Sequence, residues 1–272
     1  MYSILSEEIV LKIRKEVEKI KEEYQIVNPI VRSDIFEILD NICVVLRYPL
    51  DNDEEANGIH VERWIKGEKK DFVFINTSNS IEKQIYTAAH ELGHVWKIDE
   101  KVLAEVDEIV DSEAIINRFA AELLMPSEIF KKFFLLECAK NNIHGGTVED
   151  KVLIKVIVFL MNTFMVPYKA IIYRIEEIGY IDTFNREKLE EIERKNQDLI
   201  KECIKSGDYQ NIFKTEKQKS MSELYNMLEE AEQRELISNT KLESIRGRFD
   251  YKKSPVIYDD QEEIAIINIS EE

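Results

Sequence analysis

The stretch YTAAHELGHVWKID, residues 86–99, holds two of the four histidines in this 272-residue chain. His90 and His94 are four positions apart, so on an α-helix they lie on one face and can bind one metal ion. Zinc accepts such a pair, and a catalytic zinc keeps one position for water, whose pKa it lowers. Glu91 would then take the proton of that water as a general base. The pattern HExxH therefore predicts a zinc-dependent hydrolytic helix.

The alternative is an ordinary helix that carries these letters by chance. Its apolar stripe consists of Ile81, Ile85, Ala88, Leu92 and Val95. Tyr86 and the two histidines fall roughly opposite that stripe, whereas core histidines would be expected within it. Gly93 in the middle of the helix costs about 1 kcal/mol relative to alanine, which suggests that another element approaches closely there. Both observations favour the metal-binding interpretation.

A zinc site of this kind needs a third protein ligand. His60 and His144 are possible, but a carboxylate on a following helix is the common partner of two histidines. The segment SEAIINRFAAELLM, residues 112–125, offers two glutamates. Glu122 is four residues from Arg118 and forms an ordinary solvated pair on this interpretation. Glu113 shares a mostly apolar face and needs a partner there, so we expect it to be the ligand; its alternative is a favourable charge at a helix N-terminus.

Two further roles have candidates. Asn117, one turn after Glu113, is expected to hold a metal ligand in place, and the alternative is an amide that packs helices together. A hydrolytic site also needs a group that stabilises the carbonyl oxygen as it becomes negative. The candidates for that group are Tyr86, His144, Tyr168, Tyr173 and Arg174. The sequence does not choose among them.

Hydrophobic periodicity extends this picture along the chain. It predicts helices at 6–24, 31–46, 80–98, 112–125, 149–164 and 166–181. IHVERWI and DFVFINT, with GEKK between them, predict an antiparallel hairpin. After residue 184 the composition becomes highly charged with thin apolar stripes, which predicts a helical C-terminal region at 185–272. The last residues, 259–272, are expected to form a strand or a frayed end.

Composition excludes several classes of protein. The net charge of -17 disfavours direct binding of nucleic acid, because an acidic surface repels phosphates. Cys43, Cys138 and Cys203 are too widely spaced for a metal site and are odd in number, so we expect reduced thiols. No signal peptide opens the chain, and its longest apolar run, VIVFLM, is too short to cross a bilayer. We therefore expect a soluble, cytoplasmic protein with no membrane partner.

The two motifs together resemble the ImmA/IrrE family of zinc metallopeptidases, whose members typically read T-x-A-H-E-L-G-H and then E-x-x-x-N-x-F-A-A-x-L-L-M-P. The first pattern is matched by Thr87, Ala89, His90, Glu91, Leu92, Gly93 and His94. The second is matched by Glu113, Asn117, Phe119, Ala120, Ala121, Leu123, Leu124, Met125 and Pro126. The later segment VPYKAIIYRIEEIGYI is similar to the family's V-S-x-x-A-L-x-x-R-L. The resemblance spans about residues 58–181.

The resemblance implies a fold and a chemistry. The fold is α+β: a mostly helical, zincin-like metallopeptidase domain with a small antiparallel sheet at 1–184, followed by the helical extension. His90, His94 and Glu113 would bind zinc, and Glu91 would be the catalytic base. Two positions depart from the family pattern: Ile98 stands where many members have another histidine, and Pro167 replaces a serine.

Family members often cleave a helix-turn-helix repressor, which makes such a regulatory protein the expected substrate of a zinc endopeptidase. The alternative from another class is a metal-containing sensor or protein-binding module without appreciable peptidase activity. The intact Glu91 argues against that alternative, because a protein without catalysis needs no base beside its metal. An extended substrate segment is expected to add to an exposed strand edge near DFVFINT.

Overall fold

A computed structural model describes residues 5–50, 56–65, 67–106, 108–143, 149–209 and 211–249. Within these residues the helices are α1 (Glu7–Glu23), α2 (Ile35–Ile42), α3 (Ile81–Val95), α4 (Ile98–Leu103), α5 (Ser112–Leu124), α6 (Ser127–Lys140), α7 (Asp150–Phe164), α8 (Tyr168–Glu177), α9 (Thr183–Lys195), α10 (Gln197–Ser206), α11 (Leu224–Gln233) and α12 (Asn239–Arg246). A 3-10 turn at Arg32–Asp34 precedes α2. The strands are β1 (Val44–Tyr48), β2 (Gly58–Ile65), β3 (Glu68–Asn76) and β4 (Ser220–Met221). The expected mostly helical α+β fold is confirmed.

The sheet has the strand order β2-β3-β1-β4. Strands β2 and β3 form the expected antiparallel hairpin, and Gly67 in its turn adopts a φ of 86°, which glycine tolerates. Strand β1 pairs with β3 in parallel, with Val44 opposite Phe72, and β4 is antiparallel to β1. The sheet is therefore mixed, and the expectation of an antiparallel sheet was correct only for the hairpin and for β4.

The predicted helix at 31–46 was wrong in its last four residues. Helix α2 ends at Ile42, and Cys43 has extended backbone angles of -145° and 170°. The β-branched residues Val44 and Val45 then begin β1, because their stiff side chains suit a strand. Val45 is fully buried and lies opposite Val73 in the pairing of β1 with β3. The long-range pairing with β3 thus decides a segment whose local pattern also fits a helix.

Helix α3 packs against α5 and against the hairpin. Its buried face includes Ala88, Leu92 and Gly93. A Cβ atom on Gly93 would lie 3.0 Å from Ile116 and 3.1 Å from Phe119, both on α5. The expected close approach at Gly93 is therefore real, and the neighbours are side chains of α5. This contact fixes the spacing of the two helices that carry the predicted metal ligands.

A segment that we call the strap, residues 212–222, ties the start of α3 to the sheet. Thr77 Oγ1 donates a hydrogen bond to the Gln218 carbonyl at 2.7 Å. The Phe213 amide donates to the buried Glu82 carboxylate at 3.3 Å, and burial raises the pKa of Glu82. The strap ends in β4, which pairs with β1. Residues far along the chain therefore complete the surroundings of α3.

The chain divides into two compact units, Met1–Ser222 and Glu223–Glu272. The first unit includes α9 and α10, whose Leu189, Ile200 and Cys203 are buried in the main core. In the second unit, α11 and α12 bury Leu228 and Leu242. The boundary drawn from composition after residue 184 stays a prediction. The tail at 259–272 lies outside the described residues.

Two further expectations concern the cysteines and the membrane. Cys43, Cys138 and Cys203 are free thiols, as expected. Among the described helices, none is long and apolar enough to span a bilayer alone. Helices α7 and α8 meet the length and composition requirement only as a pair, and they bend by 106° at the break between them.

Candidate metal centre

Helices α3 and α5 bring His90, His94 and Glu113 together. The two Nε2 atoms are 3.1 Å apart, and the Glu113 carboxylate lies 3.3 Å from His90 Nε2 and 3.4 Å from His94 Nε2. Ligand atoms about 2.0–2.1 Å from a tetrahedral zinc ion lie about 3.3–3.4 Å from one another. The donor set therefore fits zinc in both chemistry and spacing. Among the described residues, His90, His94 and Glu113 form the one group of at least three potential ligands close enough to hold a single ion.

Asn117 holds this cluster in place. Its Oδ1 atom is 3.2 Å from His90 Nδ1, and its amide nitrogen donates to the Glu113 carbonyl at 2.8 Å. An amide oxygen at Nδ1 requires the proton of His90 on that nitrogen, which leaves Nε2 free to bind a metal. The Tyr86 hydroxyl donates to the Asn117 carbonyl at 3.2 Å, so it braces the same turn of α5.

The electrostatics of the site suit a metal and a base. Burial and the neighbouring His94 lower the pKa of His90, against the opposing effect of Glu113, and the neutral imidazole is the form that binds metal. Glu91 is only 6% exposed. Burial, with a smaller effect of Glu113, raises its pKa to about 7. A carboxyl group that titrates near neutrality is well placed to accept and return a proton.

Strand β2 lies directly over α3. A Cβ atom on Gly58 would be 2.4 Å from Thr87 Cγ2 and 2.9 Å from Glu91 Oε1, so only glycine allows the strand this close. Two residues further on, the His60 ring is nearly parallel to that of His94, with centroids 6.5 Å apart. Glu62 follows on the same face and reaches Lys97. The strand therefore forms one wall of the site.

Residues 50–176 match the family model described as the IrrE N-terminal-like domain, which is a peptidase family. The matched residues are just under half of the chain and include both α3 and α5. No curated protein and no solved structure matches the chain. The match to this domain confirms the resemblance that two short motifs predicted, and it supports a metallopeptidase-like function.

Within the IrrE N-terminal-like domain, the third-ligand candidates separate clearly. Glu113 is next to both histidines, whereas His60 Nε2 is bonded to Asp71 Oδ1 at 2.7 Å. Glu122 was wrongly interpreted as one partner of a solvated pair with Arg118. It is 5% exposed, at the far end of α5, and it binds Arg174 at 2.7 Å as well as Arg118 at 3.3 Å. The other histidine candidate, His144, lies outside the described residues.

The structure does not bring Arg174 to the metal-ligand cluster. Its guanidinium is 1% exposed and donates to the Met125 carbonyl at 2.6 Å as well as to Glu122. Tyr168 is buried in the core, where burial raises its pKa. The Tyr173 hydroxyl accepts from Arg186 at 3.1 Å. The contacts described for Arg174 and Tyr173 are thus with residues outside the cluster.

The residue that sequence reasoning missed is Asp71. His60 was considered there only as a metal ligand, although alternation along β2 places it on the face of Gly58 and Glu62. That alternation was a usable signal for a wall over the HExxH helix. The partnership with Asp71 depends on the register of the hairpin and was not available from the pattern alone.

Proposed function

We propose that this protein is a zinc-dependent endopeptidase that cleaves a regulatory protein. The observation that carries the proposal is the set of three ligand side chains, with the two Nε2 atoms 3.1 Å apart and a Glu113 carboxylate oxygen 3.3–3.4 Å from each, and with Glu91 adjacent in sequence to His90. When bound, zinc supplies Lewis-acid chemistry, which makes water more acidic and polarises a peptide carbonyl. The IrrE N-terminal-like domain supports the same chemistry.

The protein's own residues divide the work. Glu91 accepts a proton from the attacking water and passes it to the amine that leaves the cleaved peptide. Its burial keeps water away and holds its pKa near neutrality, and a bound cation would lower that pKa and favour the carboxylate. Asn117 fixes the orientation of the His90 ring through its contact with Nδ1.

The substrate is expected to lie along β2. The open edge was first expected near DFVFINT, but β3 is paired on both sides, with β2 and with β1. Among the described strands, β2 and β4 each have a neighbour on one side only, and β2 is the one that lies against Thr87 and Glu91 of α3. A peptide that adds to this edge receives backbone hydrogen bonds and passes beside His94 and Glu91. Exposed Ile59 and Trp64 offer apolar contacts along the same strand.

A helix-turn-helix transcriptional repressor is the proposed substrate. The support is the family resemblance together with the chain's net charge of -17, which attracts a basic DNA-binding protein. The same charge opposes direct binding of nucleic acid by this chain.

Metal content tests the site first. We expect the wild-type protein to hold about one zinc ion per chain, and Glu113→Ala to lose most of it. Glu128→Ala is the matched control, because Glu128 is also a first-turn glutamate, on α6, and is exposed. Mass spectrometry of metals and calorimetric titration with zinc give the measurement. Wild-type protein that binds no zinc under titration would overturn the proposal.

Cleavage tests the activity. We expect zinc-loaded wild-type protein to cut a member of a panel of purified helix-turn-helix repressors, with the site read by mass spectrometry. Glu91→Gln should keep zinc and lose cleavage by several orders of magnitude, because it removes the base without removing a ligand. A wild-type complex that binds a repressor tightly and leaves it uncut would favour the alternative of a metal-containing binding module.

A further inference from the structure

We propose that His60 is a catalytic residue that donates a hydrogen bond to the scissile carbonyl oxygen, and that Asp71 is the residue that positions it. The proposal rests on the peptidase function proposed above and names a group that stabilises the developing negative charge. It uses a histidine that binds no metal in our assignment. No bond to His60 is made or broken, so the residue acts only through its hydrogen bond.

The first argument is location. His60 lies on β2, the strand along which the substrate is expected to bind, and its side chain is 13% exposed. Its ring is 11° from parallel with the His94 ring at a centroid distance of 6.5 Å. Gly58, two residues earlier on the same face, lies against Glu91. His60 therefore lies beside the metal-ligand cluster, on the strand along which the substrate is expected to bind.

The second argument is the pairing with Asp71. Asp71 is directly opposite Glu62 in the hairpin, so it lies diagonally across from His60 on the same face. Its Oδ1 atom is 2.7 Å from His60 Nε2, and the Asp71 side chain is 27% exposed. A carboxylate at this distance accepts from the imidazole and fixes the ring orientation. A ring held in this way is preorganised for a contact at its other side.

The third argument is the chemistry of the free ring nitrogen. Among the described residues, Asp71 is the hydrogen-bond partner of His60, and it uses Nε2. A ring that gives its Nε2–H to Asp71 donates from Nδ1 when it carries a second proton there, so the proposed form is the imidazolium, with Nδ1–H directed to an oxygen of the substrate. Such a donor is useful because a preorganised hydrogen bond strengthens as negative charge develops on the carbonyl oxygen.

The other described candidates for this role are engaged elsewhere. The Tyr86 hydroxyl donates to the Asn117 carbonyl, and Arg174 is held by Glu122 and Met125 at the opposite end of α5. Tyr168 is buried in the core. His60 is thus the polar side chain next to the metal-ligand cluster that combines a fixing partner with a free nitrogen.

Binding of N-phosphoryl-L-leucinamide to the zinc-loaded protein tests the proposal. The phosphoryl group of this small phosphoramidate mimics the tetrahedral carbon and negatively charged oxygen that form during peptide cleavage, and its use needs no knowledge of the natural substrate. We expect calorimetry to show about 10–100-fold weaker binding for His60→Ala and about tenfold weaker binding for Asp71→Asn. Asp198→Asn on α10 is the matched control, since Asp198 is almost fully exposed and should not change binding. Zinc content and thermal unfolding should stay unchanged in all three variants.

Kinetics with a cleaved repressor give a second measurement. His60→Ala should lower kcat by about 10²–10³-fold with little change in KM, because the contact strengthens only as charge develops. His60→Gln, which retains an N–H donor, should recover part of that loss. Zinc-loaded wild-type protein that does not bind the phosphoramidate, or a His60→Ala variant that binds it equally well, would overturn the proposal. If His60 matters for this binding but no peptide is ever cleaved, the peptidase function fails while the His60 contact stands.

Discussion

Helix α5 carries a glutamate near each end, and the two ends differ in how those charges are satisfied. The Glu113 side chain is 57% exposed and faces two imidazole rings. The Glu122 side chain, nine residues and about 13 Å further along the helix, is 7% exposed and is bound by three arginines, Arg14, Arg118 and Arg174. At the first end, which we call the open end, the donor atoms of Glu113 can bind a ligand from outside. At the second, which we call the closed end, the charge of Glu122 is already balanced by arginines of the protein.

The comparison shows that burial alone does not mark a functional carboxylate. Burial by itself would raise the pKa of Glu122, but Arg174, the Ser127 amide and Arg118 lower it to about 2. Glu91 is buried to a similar degree, has no cationic partner of this kind among the described residues, and its pKa is raised to about 7 by burial and by Glu113. The neighbouring cation, or its absence, separates a structural carboxylate from one that can exchange a proton near neutrality.

Substitution of Glu122 at the closed end should have the largest effect on the free energy of unfolding. Glu122→Ala leaves Arg174 buried without its main counter-charge, and we expect the free energy of unfolding to fall by about 3–5 kcal/mol. Glu113→Ala should change the stability of the zinc-free protein by less than about 1 kcal/mol, because its side chain is mostly exposed. Urea unfolding of both variants without zinc measures the contrast. Equal losses would show that the two ends do not differ as described.

Adding zinc should make Glu113, at the open end, important for the free energy of unfolding. At a free zinc concentration of about a thousand times Kd, wild-type protein gains about 4 kcal/mol of unfolding free energy. Glu113→Ala should lose most of that gain. Glu122→Ala should keep it, because Glu122 is not one of the proposed zinc ligands. Thermal unfolding with and without zinc measures the gain. A full zinc effect in Glu113→Ala would remove Glu113 from the ligand set.

Acid should reduce the contribution of Glu122 to the free energy of unfolding over a defined pH range. The pKa of Glu122 in the folded protein, about 2, is below its usual 4.5, so its contribution is fully present above pH 4.5 and is lost as the pH falls toward 2. This shift corresponds to about 3 kcal/mol. The stability difference between wild-type protein and Glu122→Gln should therefore shrink over this range. A difference that stays constant from pH 5 to pH 2.5 would contradict the assignment.

The smallest expected effect on stability comes from substitution of Gly58, where β2 lies against α3. A second glycine, Gly67 in the hairpin turn, shows the effect of backbone strain alone. Gly58→Ala places a Cβ atom against Thr87, Glu91 and the Phe74 carbonyl, and we expect a loss of about 1–3 kcal/mol together with impaired catalysis. Gly67→Ala is the control, since nothing lies within 4 Å of its added Cβ and only the left-handed backbone is strained. It should cost about 1–2 kcal/mol and leave cleavage unchanged. Catalysis that survives Gly58→Ala would separate β2 from the site.

Local spacing was sufficient to predict which residues form the cluster of potential metal ligands, because His90 and His94 lie one helical turn apart and Glu113 opens the next strongly patterned helix. The hairpin followed from alternation and its turn for the same reason. The errors arose where distant segments decide. Strand β1 looks helical until it pairs with β3, and that pairing also moves the open sheet edge from β3 to β2. Glu122 looks solvated until Arg174, 52 residues later, reaches it.

The strap has a consequence for the order in which the protein is made. Thr77 and the buried Glu82 find partners at Gln218 and Phe213, about 130–140 residues later in the chain. While the ribosome is still adding residues up to about 210, the HExxH helix has left the exit tunnel but its first turn is not yet covered. The HExxH helix therefore completes its contacts late in synthesis, and a chain cut after residue 184 would expose the Glu82 carboxylate and leave Thr77 without its acceptor.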